Sequence, residues 1–210
     1  ASRTPDARSF DHHPRNRDVI LSKKENPPMT HSALNHDNHI RSCQADVISR
    51  MTADPTACQR TYATTGEIGA GLTCNVTQGR FAAITDLGAG MGGGAAGPSP
   101  GFFARTAIVG CVGMGVKMLA VREGLVFEQI TVTVETSFDD AALMGLGMNP
   151  AGPLHTRVII NIDSQDDPAR IAEVVDRALS HDPWFLALRD AQVVEPVVNV
   201  ASTAPEVEAA

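Results

Sequence analysis

Residues 102–122 read FFARTAIVGCVGMGVKMLAVR, the densest apolar stretch in a chain of 210 residues. Between Phe102 and Val121, only Arg105, Thr106 and Lys117 interrupt the apolar residues and glycines. A helix with so little polar face is normally buried. The stretch therefore predicts a central buried helix, with Cys111 in the middle of the core.

Composition excludes several classes of protein. The formal net charge is −7, and no run of Lys or Arg interleaves with aromatic residues, so no nucleic-acid partner is predicted. Arg105 and Lys117 interrupt the apolar stretch before it reaches the roughly 18 residues of a membrane span, so no membrane association is predicted. Residues 1–30 lack the apolar block of a secretory signal, and we expect a cytoplasmic protein whose cysteines are reduced. These are Cys43, Cys58, Cys74 and Cys111.

The two ends of the chain are polar. Residues 1–40 show no sustained apolar period and are predicted to form a mobile arm, whereas 41–202 form one domain and 203–210 a frayed acidic tail. Four arm residues carry groups that bind metals: His31, His36, Asp37 and His39. A metal site needs rigidly held ligands, so solvated side chains are the simpler interpretation and no metal is predicted.

The spacing of apolar residues predicts an α+β fold with mainly antiparallel sheet. Short runs rich in Thr, Val and Ile, separated by turns at 66–71 and 78–79, predict a meander. The predicted strands are 61–65, 72–76, 80–86, 128–135, 158–162 and 193–200. Ile130, Val132 and Val134 alternate onto one face. A helix from Pro168 to Leu179 begins after the capping Asp167, and a short helix is expected at 184–190.

The glycine-rich run at 88–93, GAGMGG, matches the pattern of a dinucleotide-binding turn. In that fold the helix begins within the turn, so that its N-terminus faces the pyrophosphate. Here residues 95–101, with two prolines, intervene before a helix can start. A flexible entry loop is the better interpretation, and no nucleotide or other cofactor is predicted.

The run GGGAAGPSP at 92–100, continuing to Cys111, resembles the OsmC/Ohr family of osmotically inducible and organic-hydroperoxide-resistance proteins. The later run VTVE at 132–135, the loop at 144–154 and the helix at 168–179 follow in the family's order. The resemblance spans roughly residues 61–200. It implies an intertwined homodimer in which two central helices are buried together.

The resemblance also implies a chemistry. Family peroxidases, which are peroxiredoxin-like in their chemistry, reduce organic hydroperoxides with a reactive cysteine matched here by Cys111. Their resolving cysteine opens a later helix in a Cys-Pro step, where this chain has Asp182 and Pro183. They also place a Glu after the proline that starts the central helix, where it holds an Arg over the sulfur; here Gly101 stands there. Three arginines are candidates for that Arg: Arg60, Arg80 and Arg105.

Two interpretations of Cys111 therefore stay open. In the first, Cys111 is the nucleophile of a one-cysteine thiol peroxidase that uses an external thiol reductant, with Cys58 or Cys74 as a weaker candidate to resolve the sulfenic acid. In the second, Cys111 is a packing residue of a dimer that binds a small apolar or thiol-containing ligand. A third alternative is a scaffold dimer with the arm as its contact. In either of the first two, the residues predicted to line the pocket are Phe102, Phe103, Met114 and Met118, although core packing is the commoner role of such residues.

Overall fold

The computed structural model describes residues 31–200, which form five helices, five strands and short 3₁₀ turns at 55–58 and 89–91. The strands form a three-stranded antiparallel sheet, β1-β2-β3, and a two-stranded antiparallel sheet, β4-β5. In chain order the elements are α1 (His31–Ala53), β1 (Thr65–Ile68), β2 (Cys74–Gln78), β3 (Phe81–Thr85), α2 (Pro100–Arg122), β4 (Phe127–Ser137), α3 (Asp140–Leu143), β5 (His155–Ser164), α4 (Pro168–Leu179) and α5 (Pro183–Arg189). The predicted α+β fold with antiparallel sheets is confirmed.

Helix α2 has well-defined ends. Ser99 caps its N-terminus by accepting the Phe102 N–H, and Pro100 occupies the first turn, where no N–H is needed. At the other end Gly124 has a φ of +77°, and Leu125 N donates to Ala120 O at 2.9 Å. This is the Schellman arrangement, in which a left-handed glycine lets the last carbonyl groups find partners.

The core lies between α2, the β4-β5 sheet and α4. Val112, Val116 and Ala120 of α2 are buried against Val174 and Ala178 of α4 and against one face of the sheet. That face contains the predicted residues Ile130, Val132 and Val134, and the paired strand β5 adds Val158, Ile160 and Ile162. Gly113 also faces the sheet, since a Cβ there would lie 3.6 Å from Val132.

Within residues 31–200, one side of α2 remains largely uncovered. Met114 is 64% exposed and Met118 is 45% exposed, on the side away from this core. By length and mean hydropathy alone α2 would suffice to cross a membrane. Its packing on β4, β5 and α4 shows that it is the core helix of the domain, with one uncovered apolar side.

The three-stranded sheet is held beside α2 by the loop that follows β3. Asp86 is 3% exposed, and its carboxylate accepts the N–H groups of Leu87, Gly94 and Ala96 and the hydroxyl of Thr73. The glycine-rich run predicted as an entry loop is thus wound around one buried carboxylate, and α2 begins only after it.

Several predictions were wrong. Helix α1 runs across the boundary placed at residue 40, and its Asp37 is buried in an ion pair with Lys117, so residues 31–40 are not a mobile arm. The first strand begins four residues later than predicted, at Thr65. Residues 191–200 form neither helix nor strand, and the valines at 193–200 are 77–88% exposed. Residues 1–30 of the predicted arm and the tail at 203–210 lie outside the described residues.

Candidate functional site

Cys111 lies in the middle of α2 and is half-buried, on a side of the helix that faces α5. Gly115 is one turn further along the same side. Because Gly115 has no side chain, α5 approaches α2 closely at this point. The sulfur therefore lies beside the place where α5 begins.

Asp182, directly before α5, occupies the space beside Gly115. It is the N-cap of the helix and accepts the Phe185 N–H at 2.7 Å through Oδ1. Its other oxygen, Oδ2, would lie 3.3 Å from a Cβ at Gly115. The residue is only 4% exposed, so its carboxylate is enclosed between the two helices next to the thiol.

The surroundings of the sulfur oppose its ionisation. Burial raises the pKa of the Cys111 thiol most, because the charged thiolate loses contact with water. A hydrogen bond to the Asp182 carboxylate raises that pKa further, and the negative charge of Asp182 does so as well. The N–H of Trp184 acts in the opposite direction. The larger of these effects therefore favour the neutral thiol over the thiolate.

The candidate cations lie elsewhere. The Arg80 guanidinium is over the Phe81 ring at 5.0 Å, and Lys117 pairs with Asp37 and also donates to Phe127 O. The Arg105 guanidinium folds back toward Gly101, 3.3 Å from the position of a Cβ there. Arg60 lies in the exposed segment before β1. Within residues 31–200, no cation is among the groups that shift the pKa of the Cys111 thiol.

The other three cysteines are also distributed away from Cys111. Cys43 is on the exposed side of α1, with its sulfur 3.7 Å from His39 Nε2. Cys58 contacts the carbonyl of Asp54 in the turn that follows α1. Cys74 lies in β2, facing Gly66 of the neighbouring strand. All four cysteines are free thiols.

The structure divides the predicted pocket residues between two clefts. Met114 and Met118 line a cleft of about 560 Å³ between α1, α2 and β4, together with Lys117 and Ile130. Phe103 lines a second cleft of about 600 Å³ on the face of β2 and β3. Phe102 packs edge-on against Phe103 with ring centroids 5.5 Å apart. Their role in binding stays a prediction.

Among residues 31–200, no hydrogen bond joins a histidine to Cys111. His36 lines the first cleft, and His181, just before α5, is exposed with its Nδ1 2.9 Å from Arg177 O. No group of three metal-binding side chains occurs in the part of the chain that the structure describes.

Sequence reasoning missed the role of Asp182. In the structure His181 is exposed, whereas Asp182 is buried. The available signal was the Asp-Pro step, which marks an N-cap and also stands where family peroxidases carry their second thiol. The distance between α2 and α5 depends on Gly115, and no local pattern reveals that contact.

Comparisons with known proteins agree on one family. The family model described as OsmC-like protein matches residues 92–196, which is half of the chain. No curated protein matches the chain. An OsmC-like protein from Mycoplasma pneumoniae has a similar solved structure, with a TM-score of 0.53 at 15% identity over 62% of this chain and 89% of that one.

Two further solved structures are more distant. The organic hydroperoxide resistance protein OsmC from Legionella pneumophila gives a TM-score of 0.47 at 15% identity, over 63% of this chain and 91% of that one. OhrB, the organic hydroperoxide resistance protein of Bacillus subtilis, gives a TM-score of 0.43 at 18% identity, over 62% of this chain and 91% of that one. The family is associated with organic hydroperoxide resistance and osmotic stress. Because the family model covers half of the chain, and the fold is that of a solved OsmC-like protein, this chain belongs to the OsmC-like family.

Proposed function

We propose that this protein is an OsmC-like homodimer that binds a small apolar ligand, with Cys111 as a packed thiol and not as a nucleophile. The observation that carries the proposal is the environment of that thiol. The sulfur is half-buried in the middle of a helix, and burial is the largest of the effects that raise its pKa.

A peroxidatic cysteine reacts as a thiolate, so it needs a lowered pKa. Helix N-termini and neighbouring cations supply this in reactive cysteines. Cys111 is eleven residues beyond the start of α2 and outside the first turn, where the helix dipole acts. The candidate cations make other contacts. Lys117 pairs with Asp37, Arg80 lies over the Phe81 ring and Arg105 folds toward Gly101.

The uncovered side of α2 supports a homodimer. Met114 and Met118, one turn apart on α2, form an apolar stripe that is 45–64% exposed in the single chain. Exposed apolar surface of this kind marks an interaction site. Two copies related by a twofold axis would bury the same stripe against itself, which is how most homodimers close.

The clefts support the binding role. Both are open surface grooves, and their volumes are within the roughly 300–1,000 Å³ that small-molecule sites occupy. The cleft between α1, α2 and β4 presents the sulfur atoms and methyl groups of Met114 and Met118, which adapt to apolar ligands of different shape. We propose this cleft, closed on its open side by the second copy of the chain, as the ligand site.

Native mass spectrometry of freshly purified protein tests the binding role. We expect a dimer that retains a small ligand, and we expect Met118→Gln to release it while Met148→Gln, in an exposed loop, retains it. A dimer without bound ligand in both wild type and variants, which also takes up no added medium-chain alcohol or fatty acid, would refute the proposed ligand binding.

A one-cysteine peroxidase is the second candidate function. It is favoured by the family assignment and by the partial exposure of the Cys111 sulfur. The thiolate would attack the hydroperoxide, the O–O bond would break, an alcohol would leave and Cys111 would become a sulfenic acid. Two external thiols would then return it to the thiol, releasing water and a disulfide.

Peroxide consumption separates the two functions. Our proposal predicts that wild type consumes cumene hydroperoxide, with dithiothreitol or a dithiol protein as reductant, no faster than Cys111→Ser. Consumption that depends on Cys111 and turns over many times per chain would establish the second candidate instead.

A further inference from the structure

The cleft proposed for the ligand contains charged as well as apolar side chains. Its charged residues are Asp37, Lys117 and Glu128, which come from α1, α2 and β4, the three elements that line it. His36 of α1 is the other titratable residue of the lining, and it is exposed. The balance of these charges decides what kind of ligand the cleft accepts.

Asp37 and Lys117 balance each other. The Lys117 ammonium lies 2.9 Å from Asp37 Oδ1 and 3.0 Å from Oδ2, and it also donates to Phe127 O at 3.2 Å. Its donors are therefore directed at groups of the protein. An anionic ligand would have to break this pair to reach Lys117, which is the one lysine or arginine among the described residues that line the cleft.

Glu128 has no such partner. Its carboxylate makes no hydrogen bond or ion pair with any group in residues 31–200, although the residue is half-buried. Partial burial of a carboxylate without a partner costs free energy, because the charge loses contact with water. Glu128 thus leaves one negative charge in the cleft that the lining does not compensate.

The backbone of β4 places Glu128 at this point. The register of β4 against β5 shifts between Phe127 and Gln129, so that Glu128 is an extra residue without an opposite residue on β5. Such a β-bulge redirects a side chain, and bulges are frequent beside functional sites. Because Lys117 donates to Phe127 O, the ion pair and the bulge form one arrangement.

We propose that the cleft binds an apolar primary amine, with Glu128 accepting the ligand's ammonium group and Met114, Met118 and Ile130 contacting its hydrocarbon part. This inference rests on the proposed function, because it names the chemical class of the ligand for the same cleft. An ammonium supplies both the positive charge and the hydrogen-bond donors that an ionised carboxylate accepts.

The same charges rank three ligands that share one hydrocarbon chain. Octylamine gives Glu128 a charge-assisted hydrogen bond, which is roughly twice as strong as a neutral one. Octanol gives it a hydrogen bond from a neutral donor. Octanoate brings a second negative charge beside Glu128, while Lys117 is already paired with Asp37. Octylamine should therefore bind most tightly and octanoate most weakly.

Isothermal titration calorimetry of the full chain at pH 7 measures this order. We expect octylamine to bind wild type at least about tenfold more tightly than octanol, as one charge-assisted hydrogen bond allows. Glu128→Gln keeps the shape of the side chain and removes its charge, so the ratio of the two affinities should fall to about one. The matched control is Glu135→Gln, which neutralises an exposed carboxylate further along β4 and should retain the wild-type ratio.

Each outcome has a separate meaning. Equal affinities of octylamine and octanol in wild type, or an amine preference that Glu128→Gln retains, would overturn the inference and leave the proposed ligand binding intact. Binding of none of the three compounds would refute the proposed function itself. If circular dichroism shows that Glu128→Gln is misfolded, the order of the three ligands in wild type and in Glu128→Asp decides. If Glu128→Gln dissociates the dimer and wild type has no amine preference, Glu128 pairs with a cation of the second copy and the inference is wrong.

Discussion

Lys117 of α2 is joined to Asp37 of α1 by an ion pair, with Nζ 2.9 Å from Oδ1. The pair lies in the cleft proposed for the ligand, and its carboxylate is only 10% exposed. It is the polar link that fixes α1 on the core helix, with Arg41 adding a hydrogen bond to Val121 O at 3.0 Å.

Removing Asp37 should loosen α1. Asp37→Ala leaves the Lys117 ammonium partly buried without its partner, and we expect a loss of about 1–3 kcal/mol in the free energy of unfolding. Urea unfolding measures this, and limited proteolysis should show earlier cleavage within α1. The matched control is Glu135→Ala, which removes the exposed pair with Arg157 and should cost less than about 1 kcal/mol. Equal effects at the two sites would contradict the structural role of α1.

The stability contributed by the loop before α2 should depend on pH through Asp86. The hydrogen bond from the Ala96 N–H, with others from Leu87, Thr73 and Gly94, holds the pKa of Asp86 below its ordinary value, although burial acts the other way. A lowered pKa in the folded state contributes stability above the unfolded-state pKa, and that contribution is lost as the pH falls through the folded pKa. Asp86→Asn should therefore lower the urea midpoint at pH 7, and the difference from wild type should shrink in acid. A constant difference across that range would contradict the assignment.

Two glycines of the same loop test its close packing. A Cβ at Gly97 would lie 2.3 Å from Ile84 O, whereas a Cβ at Gly90 meets nothing within 4 Å. We expect Gly97→Ala to cost about 1–3 kcal/mol in unfolding free energy, because the backbone of β3 has to move. Gly90→Ala should be within about 1 kcal/mol of wild type. A reversed order would show that the loop does not pack as described.

The proposed homodimer should come apart when a charge is placed on the apolar stripe. Met114→Glu puts a carboxylate at the centre of the proposed interface, while Met148→Glu puts one on a loop residue that is 99% exposed. Light scattering after size-exclusion chromatography should give the mass of two chains for wild type and Met148→Glu, and of one chain for Met114→Glu. A wild-type monomer at high micromolar concentration would refute the dimer.

Much of the fold was predictable because its signals are local. The two prolines of residues 95–101 and the Asp167-Pro168 step placed the starts of α2 and α4 within a residue or two, and strict alternation placed β4 and its core face. The strand predicted at 193–200 is absent for a physical reason. Its valines favour a strand, but a strand needs a partner, and none pairs with this segment within residues 31–200.

The candidate site was harder to predict. Cys111 was identified from the family resemblance, since a half-buried thiol has no periodic signature. Its neighbour Asp182 is 71 positions away and meets it only because Gly115 lets two helices approach closely. Helix α1 was missed because its residues are mostly polar and its attachment to the core depends on the contact of Asp37 with Lys117.

The direct test of the account is the pKa of the Cys111 thiol, measured from the pH dependence of iodoacetamide alkylation in protein whose other three cysteines are serine. Burial and the neighbouring Asp182 predict a value above that of an unperturbed cysteine, so that alkylation stays slow at pH 7 and rises only in alkaline solution. A value below that of an unperturbed cysteine would contradict the account, because Cys111 would then be a thiolate ready to attack a hydroperoxide.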